Sequence, residues 1–302
     1  MDGILTIDKP AGITSHDVVA RVRRVLKIKR VGHTGTLDPF ATGVMVVLVG
    51  QATRLAQFLD KDEKEYEALI QFGSETDTGD HTGLRTADCG LGNEEIAERL
   101  ADANWSELLK GFSGTIEQTP PMYSAKKVDG KKLYEMARKG QEIERKAASV
   151  TIREIELLDA ERLRTSDAAL RTRIVCSAGT YIRTLAEDIG RAVGVGAHLA
   201  ELRRTRAGKF AIAAAVTLEE LGSVDDPRSM LIPMSEAVSH LPEVRLSDER
   251  IAKTKSGLSS RIEDNALANG ETVRIADPSG VLIAIGHFNA EENSVQPKIV
   301  LG

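Results

Sequence analysis

Asp38 lies in the part of this sequence whose residue types and spacing best suit chemistry. The segment Gly32–Gly43 is rich in glycine and threonine, follows no helical or strand period, and holds His33 five residues before Asp38. A polar loop that leads into a continuous apolar run, here Val44–Val49, is a common site of catalysis, because the buried strand holds the loop while the loop presents its side chains. The structural alternative is that Asp38 only fixes the turn before Pro39.

The elements that must position this loop can be predicted from periodicity. Gly3–Ile7 is predicted to be a strand, and apolar residues recur at helical spacing between Val18 and Leu26, with Ser15 as a candidate N-cap. Val44–Val49 is typical of a fully buried strand. The alternation from Tyr66 to Phe72 predicts a further strand. The segment between residues 31 and 43 is predicted to be a loop throughout.

The rest of the chain mixes strands and helices, which indicates an α+β fold. Gly179 is predicted to open a helix that Gly194 closes, with Tyr181 and Arg183 in its first turn. The other predicted elements are a helix at Asn93–Leu109, an extended segment at Gln118–Pro121, strands at Val150–Leu158 and Leu170–Cys176, a short helix at Leu246–Gly257, and strands at Thr272–Ala276 and Val281–Ile285.

Ordered segments along nearly the whole chain resemble the motifs of one family, the TruB pseudouridine synthases. Gly32–Gly43 resembles the family's catalytic motif almost residue for residue. The other matching segments are Asp8–Ser15, Lys64–Ala68, Gln118–Lys127, Cys176–Leu185 and His198–Arg204. No Walker loop or GxGxxG segment competes with this resemblance.

The resemblance implies a role for each matching residue. Asp38 matches the family's catalytic aspartate, and Arg183 matches the arginine that is paired with it. Tyr66 matches the tyrosine that stacks on the target base, and we place it with the catalytic residues as well as with the substrate-binding ones. The other residues expected to bind the substrate are His33, which would engage the RNA loop, Tyr181, Leu202 and Lys9.

Each of these residues also has an ordinary structural interpretation when the resemblance is set aside. Arg183 would form a surface pair with Glu187 one helical turn away, worth only about 0.2–0.5 kcal/mol. Tyr66 would be a half-buried strand residue, and Leu202 would be part of the core. His33 would be a loop histidine that satisfies a backbone carbonyl.

The reaction of the family breaks the N1–C1′ bond of uridine, turns the uracil and rejoins it through C5. No electrons and no phosphate are transferred, so we expect no cofactor and no metal. An ionised carboxylate must stand beside the sugar with water excluded. Burial would raise the pKa of Asp38, and a nearby Arg183 guanidinium would favour the charged form. The uridine must be flipped out of its RNA, and stacking on Tyr66 would return about 1–3 kcal/mol of that cost.

The charge distribution bears on an RNA partner. The net charge of −5 argues against nucleic acid, but the basic residues are clustered. The clusters are Arg21, Arg23, Arg24, Lys27, Lys29 and Arg30; then Lys126, Lys127, Lys131 and Lys132; then Arg203, Arg204, Arg206 and Lys209. They either hold RNA phosphates or are solvated faces of the protein. The resemblance implies that the partner is tRNA, bound by its T arm, with uridine 55 as the target.

The length of 302 residues suggests two domains. We assign residues 1–232 to a pseudouridine synthase catalytic domain, with a central mixed, mainly antiparallel sheet flanked by helices. An RNA-gripping thumb is expected at about residues 122–146. Residues 233–302 are expected to form a small β-rich module that resembles a PUA domain, an RNA-binding fold.

Cysteine usage and hydropathy limit the other classes of protein. The two cysteines form no CxxC pair and no HExxH helix is present, which disfavours a zinc site or a disulfide framework. The first twelve residues do not resemble a signal peptide, and no apolar run is long enough to cross a membrane. We expect a cytoplasmic, monomeric protein with no membrane partner.

Two other functions remain open from the sequence. A guide-RNA-dependent pseudouridine synthase shares the same motifs, although this chain has no long basic extension at either end. The second is an RNA chaperone that folds tRNA without catalysis. An intact pair of Asp38 and Arg183 favours catalysis, but both activities can coexist in one protein.

Overall fold

The structure is a computed structural model. It describes residues 1–60, 62–124, 126–128, 130–137, 139–141, 143–159, 168–262 and 266–301. The expected thumb at about 122–146 therefore falls partly outside the described residues, as do the side chains of Lys127 and Lys132 in the second basic cluster.

A large sheet occupies the centre of the molecule, and ten strands of the described residues belong to it. Its path runs β14-β1-β3-β12-β4-β11-β10-β7, with β2 paired to β3 and β13 paired to β12. Among the described strands of this sheet, only the β1–β14 and β3–β12 pairs are parallel, which confirms the mixed, mainly antiparallel arrangement. The strands are β1 (Gly3–Lys9), β2 (Val31–Thr34), β3 (Thr42–Val49), β4 (Lys64–Phe72), β7 (Gly114–Gln118), β10 (Ala148–Asp159), β11 (Ala169–Cys176), β12 (Ala197–Ala207), β13 (Phe210–Ala211) and β14 (Val216–Thr217).

Besides this sheet, the described residues form two short hairpins, nine α-helices and three 3-10 helices, at Gly50–Leu55, Ile212–Ala214 and Pro227–Met230. The hairpins are β5 (Ser74–Thr76) with β6 (Arg85–Asp88), and β8 (Lys127–Val128) with β9 (Lys131–Lys132). The helices are α1 (Ser15–Leu26), α2 (Ala56–Leu59), α3 (Asn93–Asp102), α4 (Trp105–Gly111), α5 (Leu133–Ala137), α6 (Ile182–Val193), α7 (Leu218–Ser223), α8 (Met234–Ala237) and α9 (Asp248–Lys255). Across the described ranges, none of them has the length and apolarity needed to span a bilayer.

Apolar clusters hold the helices against the sheet. Helix α6 packs its apolar stripe, including Leu185 and Ile189, on β4 and β12. Helix α1 packs Val18 and Val22 against the other end of the sheet, beside Met45 of β3. The sheet is therefore flanked by helices, and the loop between β2 and β3 emerges between these two packed regions.

A second sheet lies near the C-terminus, which confirms the expected β-rich module. Its strand order is β15-β17-β18-β19-β16, from β15 (Glu243–Arg245), β16 (Ser260–Arg261), β17 (Thr272–Ala276), β18 (Leu282–Asn289) and β19 (Ser294–Val300). This sheet shares an apolar cluster with the central sheet, in which Ile285 and Ile299 pack with Val46 and Leu48 of β3. The boundary at residue 232 and the likeness to a PUA domain stay predictions.

Local side-chain chemistry moved several predicted boundaries. Thr14, not Ser15, caps helix α1, in a capping box with Asp17. The segment predicted as one loop begins with strand β2, which pairs with β3. The helix predicted at 93–109 is two helices, because the chain leaves the helical conformation at Ala103 and Asn104 caps the second one.

Candidate active site

A cavity of about 260 Å³ opens beside the loop between β2 and β3. This volume is slightly smaller than the roughly 300–1,000 Å³ of typical small-molecule pockets. The cavity can therefore hold a single base but not a folded RNA. The lining comes from the loop before β3, from β4 and β12, and from the segment that leads into helix α6. Asp38, Tyr66, Tyr181, Arg183 and Leu202 all line it, so the structure brings together five of the seven predicted site residues.

Asp38 and Arg183 form an ion pair at this cavity. Arg183 Nε lies 2.9 Å from Asp38 Oδ2, and its Nη1 lies 3.8 Å from Asp80 Oδ2. The guanidinium also donates to the backbone oxygens of Thr78 and Tyr123 at 2.6 and 2.7 Å. The Arg183 side chain is 5% exposed, whereas that of Asp38 is 33% exposed. The Asp38 carboxylate is therefore accessible from the cavity, while the arginine that holds it is buried.

The alternative surface role for Arg183 is wrong. Arg183 is buried, and the ion pair of Glu187 on helix α6 is instead with Arg191, at 3.6 Å. Helix α6 begins at Ile182, with Tyr181 as its N-cap residue, so Arg183 lies in the first turn and points toward Asp38.

Electrostatics set the ionisation of Asp38. Burial raises the pKa of its carboxyl above the ordinary value, and the Arg183 guanidinium acts in the opposite direction. Asp80 raises the pKa further, because a second negative charge lies close to the same guanidinium. Asp38 is therefore a basic carboxylate whose ionisation depends on Arg183.

Two side chains hold the loop that carries Asp38. Lys9 Nζ donates to the backbone oxygens of Pro10, Pro39 and Ala41 at 2.9, 3.1 and 2.7 Å. Ser15 Oγ accepts from the Leu37 N–H at 2.9 Å and donates to the Leu37 carbonyl at 3.0 Å. The backbone is thus tied on both sides of Asp38.

The expected substrate-binding role of Lys9 does not fit its position. The side chain is fully buried and is absent from the cavity lining. Burial lowers the pKa of Lys9 to about 8, and its ammonium is occupied by three carbonyl oxygens. Lys9 holds the backbone of the loop from its buried side. The sequence alone did not distinguish this structural role from contact with RNA.

Strands β4 and β12 supply one wall of the cavity. Tyr66 and Arg204 are directly opposite each other in the antiparallel register, and Leu202 faces Ala68 two positions along. Burial raises the pKa of the Tyr66 phenol, and the positive charge of the Arg204 guanidinium lies close enough to act in the opposite direction. Because burial has the larger effect, the ring is neutral and presents an apolar face.

Tyr181 lines the cavity, and its backbone is held by a clamp of two hydrogen bonds to one side chain. The buried Gln118 amide accepts from the Tyr181 N–H at 3.0 Å and donates to the Tyr181 carbonyl at 3.2 Å. This clamp joins the end of β7 to the start of helix α6, and it fixes the entry of the chain that carries both Tyr181 and Arg183.

His33 lies outside the cavity lining. It belongs to β2 opposite Val47, and its ring meets the His16 ring edge-on with the centroids 5.8 Å apart. Burial, together with the neighbouring His16 and the positive charge of Arg204, lowers the pKa of His33 to about 4. His33 is therefore neutral at physiological pH, and its contact with RNA stays a prediction.

The three basic clusters have different environments. All six residues of the first cluster are exposed, and within the described ranges none forms an ion pair with a carboxylate. In the second cluster, Lys126 and Lys131 are exposed. The third cluster is largely used by the fold: Arg203 pairs with Asp8 at 2.8 Å, Arg206 with Glu65 at 3.6 Å, and Arg204 is 1% exposed. The prediction of a phosphate-binding patch there is wrong for Arg204.

Several functional positions were missed by the sequence analysis. Asp80 lies in a segment predicted as an undistinguished polar loop, yet it is buried and accepts from the Thr82 N–H at 2.9 Å and from both threonine hydroxyls, Thr78 and Thr82. Gln118 and Lys64 were parts of motifs without an assigned role. The repeated acidic and threonine positions of Thr76–Gly83 were the one local signal for Asp80.

Comparisons with known proteins agree with this geometry. Residues 23–182 match the model of the TruB family pseudouridylate synthase N-terminal domain, and residues 183–239 match that of the tRNA pseudouridylate synthase B C-terminal domain. The chain is similar to tRNA pseudouridine synthase B of Geobacillus thermodenitrificans, with 46% identity over 87% of this chain and 86% of that protein. It is also similar to tRNA pseudouridine synthase B of Pseudomonas putida, with 42% identity over 99% and 95%.

Solved structures give the same result for the fold. An H/ACA RNP bound to a substrate RNA that contains 2′-deoxyuridine includes a chain that aligns with a TM-score of 0.71 and 27% identity, over 99% of this chain and 85% of that one. A chain of a Cbf5-Nop10-Gar1 complex aligns with a TM-score of 0.69 and 29% identity, over 99% and 84%. The family model covers more than half of the sequence, and the relatives at 42–46% identity match most of its length. Together with the ion pair of Asp38 and Arg183 at the cavity, they show that this chain belongs to the TruB family of pseudouridine synthases, isomerases that make pseudouridine in tRNA.

Proposed function

We propose that this protein converts uridine 55 in the T arm of tRNA to pseudouridine, with Asp38 as the carboxylate that acts at the sugar. The observation that carries the proposal is the pair of Asp38 and Arg183, 2.9 Å apart at the edge of a cavity of base size. The choice of position 55 rests on the resemblance of the ordered motifs to those of the TruB family.

The target uridine enters the cavity by flipping out of the RNA. Breaking its stacking and pairing costs a few kcal/mol. The neutral ring of Tyr66 and the apolar side chain of Leu202 line the cavity, and stacking on an aromatic ring returns about 1–3 kcal/mol. These two residues bind the base, and Tyr181 lines the same space.

Asp38 performs its step without a cofactor. The isomerisation exchanges a bond from C1′ to N1 for a bond from C1′ to C5, and it neither oxidises nor reduces the substrate. Arg183 keeps the carboxylate ionised against the effect of burial, and a base bound in the cavity would cover the partly exposed Asp38 carboxylate and exclude water from it.

The RNA backbone is held by exposed cations away from the cavity. The first basic cluster lies along helix α1 and the segment that follows it, and the first turn of this helix contacts the catalytic loop through Ser15. Phosphate contacts of this kind position RNA without reading its sequence. The segment at about 122–146 is the proposed thumb, and the C-terminal sheet is the proposed PUA-like RNA-binding module of a monomeric enzyme.

A direct experiment tests the proposal. Purified protein is incubated with an unmodified tRNA transcript, with no other RNA and no added cofactor, and pseudouridine is mapped at single-nucleotide resolution. We expect stoichiometric product at position 55. A transcript in which uridine 55 is replaced by cytidine serves as the matched control. Product elsewhere, or no product, would overturn the assignment of the target.

The guide-RNA-dependent alternative is favoured by one observation, the TM-score of 0.71 to a chain of an H/ACA RNP. The identity of 27% to that chain is well below the 41–48% of the tRNA pseudouridine synthase B relatives. Activity on the bare transcript excludes a requirement for a guide. Activity that appears only when a guide RNA is added would favour this alternative instead.

A further inference from the structure

Two buried cations line the same cavity as Asp38, and no role has been given to them so far. Lys64 and Tyr66 are two positions apart on β4, so their side chains leave the same face of the sheet. Arg204 lies directly opposite Tyr66 on β12 and shares that face. Lys64 is 5% exposed and Arg204 is 1% exposed.

Backbone carbonyl oxygens accept the hydrogen bonds that these two cations donate. Arg204 Nε donates to the Val44 carbonyl at 2.6 Å, and its Nη2 donates to the Gly35 carbonyl at 3.1 Å. Lys64 Nζ donates to the backbone oxygens of Asp60 and Asp62. Within the ranges that the structure describes, no Asp or Glu side chain forms an ion pair with either residue.

The two cations also lie close to each other. A Cβ at Gly35 would stand 3.5 Å from Arg204 Nη1 and 3.7 Å from Lys64 Cε, so both side chains converge on this glycine. Burial lowers the pKa of Lys64, and the charge of Arg204 lowers it further, whereas the carboxylates of Asp62 and Asp60 act in the opposite direction. Two buried like charges repel each other, so a ligand that brings negative charge between them would be favoured here.

The proposed reaction creates such a charge inside the cavity. When the C1′–N1 bond breaks, its electron pair stays with the uracil, and the negative charge spreads over N1 and the two carbonyl oxygens of the ring. Formation of the C1′–C5 bond then uses an electron pair of the ring, C5 releases its proton and N1 gains one, so that atoms and electrons balance. The barrier falls if fixed positive charges face the ring while the first bond breaks.

We propose that Lys64 and Arg204 form a cationic wall that stabilises the negative charge on the uracil ring during cleavage of the C1′–N1 bond. This inference rests on the proposed function. A backbone phosphate is the other source of negative charge in an RNA, but Arg204 is 1% exposed in the wall of a cavity of base size, which the phosphate backbone does not enter. In the water-poor interior such charges act more strongly than they would in solvent.

A substrate with an altered leaving group tests the proposal. Fluorine at C5 withdraws electrons, so a 5-fluorouracil ring carries the negative charge with less help from the protein. Single-turnover rates of C1′–N1 bond cleavage are measured on tRNA transcripts with uridine or 5-fluorouridine at the target position. Cleavage is the step followed because C5 of the fluorinated ring has no proton to release, so only this step is common to the two substrates. The variants are Lys64→Met, Arg204→Met and Arg204→Lys. The matched control is Arg173→Met, which removes a cation from the exposed face of the same sheet.

We expect Lys64→Met and Arg204→Met each to lower the rate on uridine by about 10²–10³-fold, the usual effect of removing one stabilising group. The loss on 5-fluorouridine should be at least tenfold smaller. The affinity for tRNA should stay within about threefold, because neither side chain is exposed enough to be an RNA contact. Arg204→Lys should recover part of the rate, and Arg173→Met should behave as wild type with both substrates.

Equal losses on the two substrates would overturn the proposal and leave Lys64 and Arg204 as residues that only support the fold. Thermal unfolding of each variant is followed in parallel, because Arg204→Met also removes hydrogen bonds to Val44 and Gly35. If that variant does not fold, Lys64→Met decides the question alone. Product at position 55 from the wild-type enzyme establishes the proposed function independently of these outcomes.

Discussion

The central sheet places lysine and arginine side chains in different surroundings on its two faces around strand β4. On the exposed face, Arg173 of β11 contacts Glu65, Glu154 and Glu156 at 2.9, 2.8 and 3.1 Å. On the buried face, Lys64 and Arg204 are held by backbone carbonyls. Solvent-exposed pairs contribute only about 0–1 kcal/mol each, because water screens them. Lys64 and Arg204 line the cavity but are almost fully buried, so water screens their charges much less. These are the charges that can act on a bound substrate.

The Asp38 substitution should give the largest effect on the buried side. We expect Asp38→Asn to lower the turnover number by at least about 10⁴-fold, as loss of an essential carboxylate does in other enzymes. The amide keeps the size of the side chain but has no charge, so tRNA binding should change little. Rapid-quench turnover and filter binding measure the two effects. A collapse of binding together with turnover would mean that the variant has damaged the fold.

Replacement of Arg183 comes next and should also change the pH dependence. Arg183→Gln should reduce the turnover number by about 10²–10³-fold, typical for loss of a charged group at an active site. Arg183 opposes the upward effect of burial on the pKa of Asp38, so its loss raises that pKa further. Because the carboxylate form is the active one, the acid limb of the rate profile should move to higher pH.

The profile of kcat against pH is compared with that of Arg191→Gln, a change on the exposed side of the same helix. An unchanged acid limb in Arg183→Gln would show that Asp38 does not depend on this guanidinium.

Exposed charges without an acidic partner should have a smaller effect, on affinity alone. In the double variant Arg24→Gln/Lys27→Gln, we expect the slope of log Kd against log salt to fall by about 0.9 for each lost phosphate contact. The turnover number at saturating tRNA should be unchanged, since Arg24 on helix α1 and Lys27 directly after it are both exposed and lie outside the cavity lining. Arg85→Gln, which removes an exposed cation paired with Asp88, is the control. An unaltered slope would exclude this helix from the RNA interface.

Loss of the ion pairs that Arg173 forms with Glu65, Glu154 and Glu156 should have the smallest effect on activity and stability. Arg173→Met should change the turnover number by less than about threefold and the free energy of unfolding by about 1 kcal/mol or less. Urea denaturation measures the second quantity. A loss of activity comparable to that of Arg204→Met would remove the distinction between the two faces of the sheet.

Local patterns in the sequence determined much of the fold. The alternation from Tyr66 to Phe72 gave strand β4 with the correct buried side, and Gly194 ends helix α6 with a left-handed φ of 80°. The split between helices α3 and α4 was missed, because Ala103 and Asn104 leave the helix without a proline or glycine as a signal.

By itself, the sequence determined the motifs, the candidate Asp38, its expected partner Arg183, and through them the family. Only the tertiary structure decided which cations are free, which are paired and which face the cavity. Arg204 is 160 residues from Val44, whose carbonyl it binds, and Lys9 is 32 residues from Ala41. Periodicity reports which side of its own strand or helix a residue occupies, but not which distant backbone meets it there, because that depends on how the elements pack. The position of Asp80 beside Arg183 follows from packing in the same way.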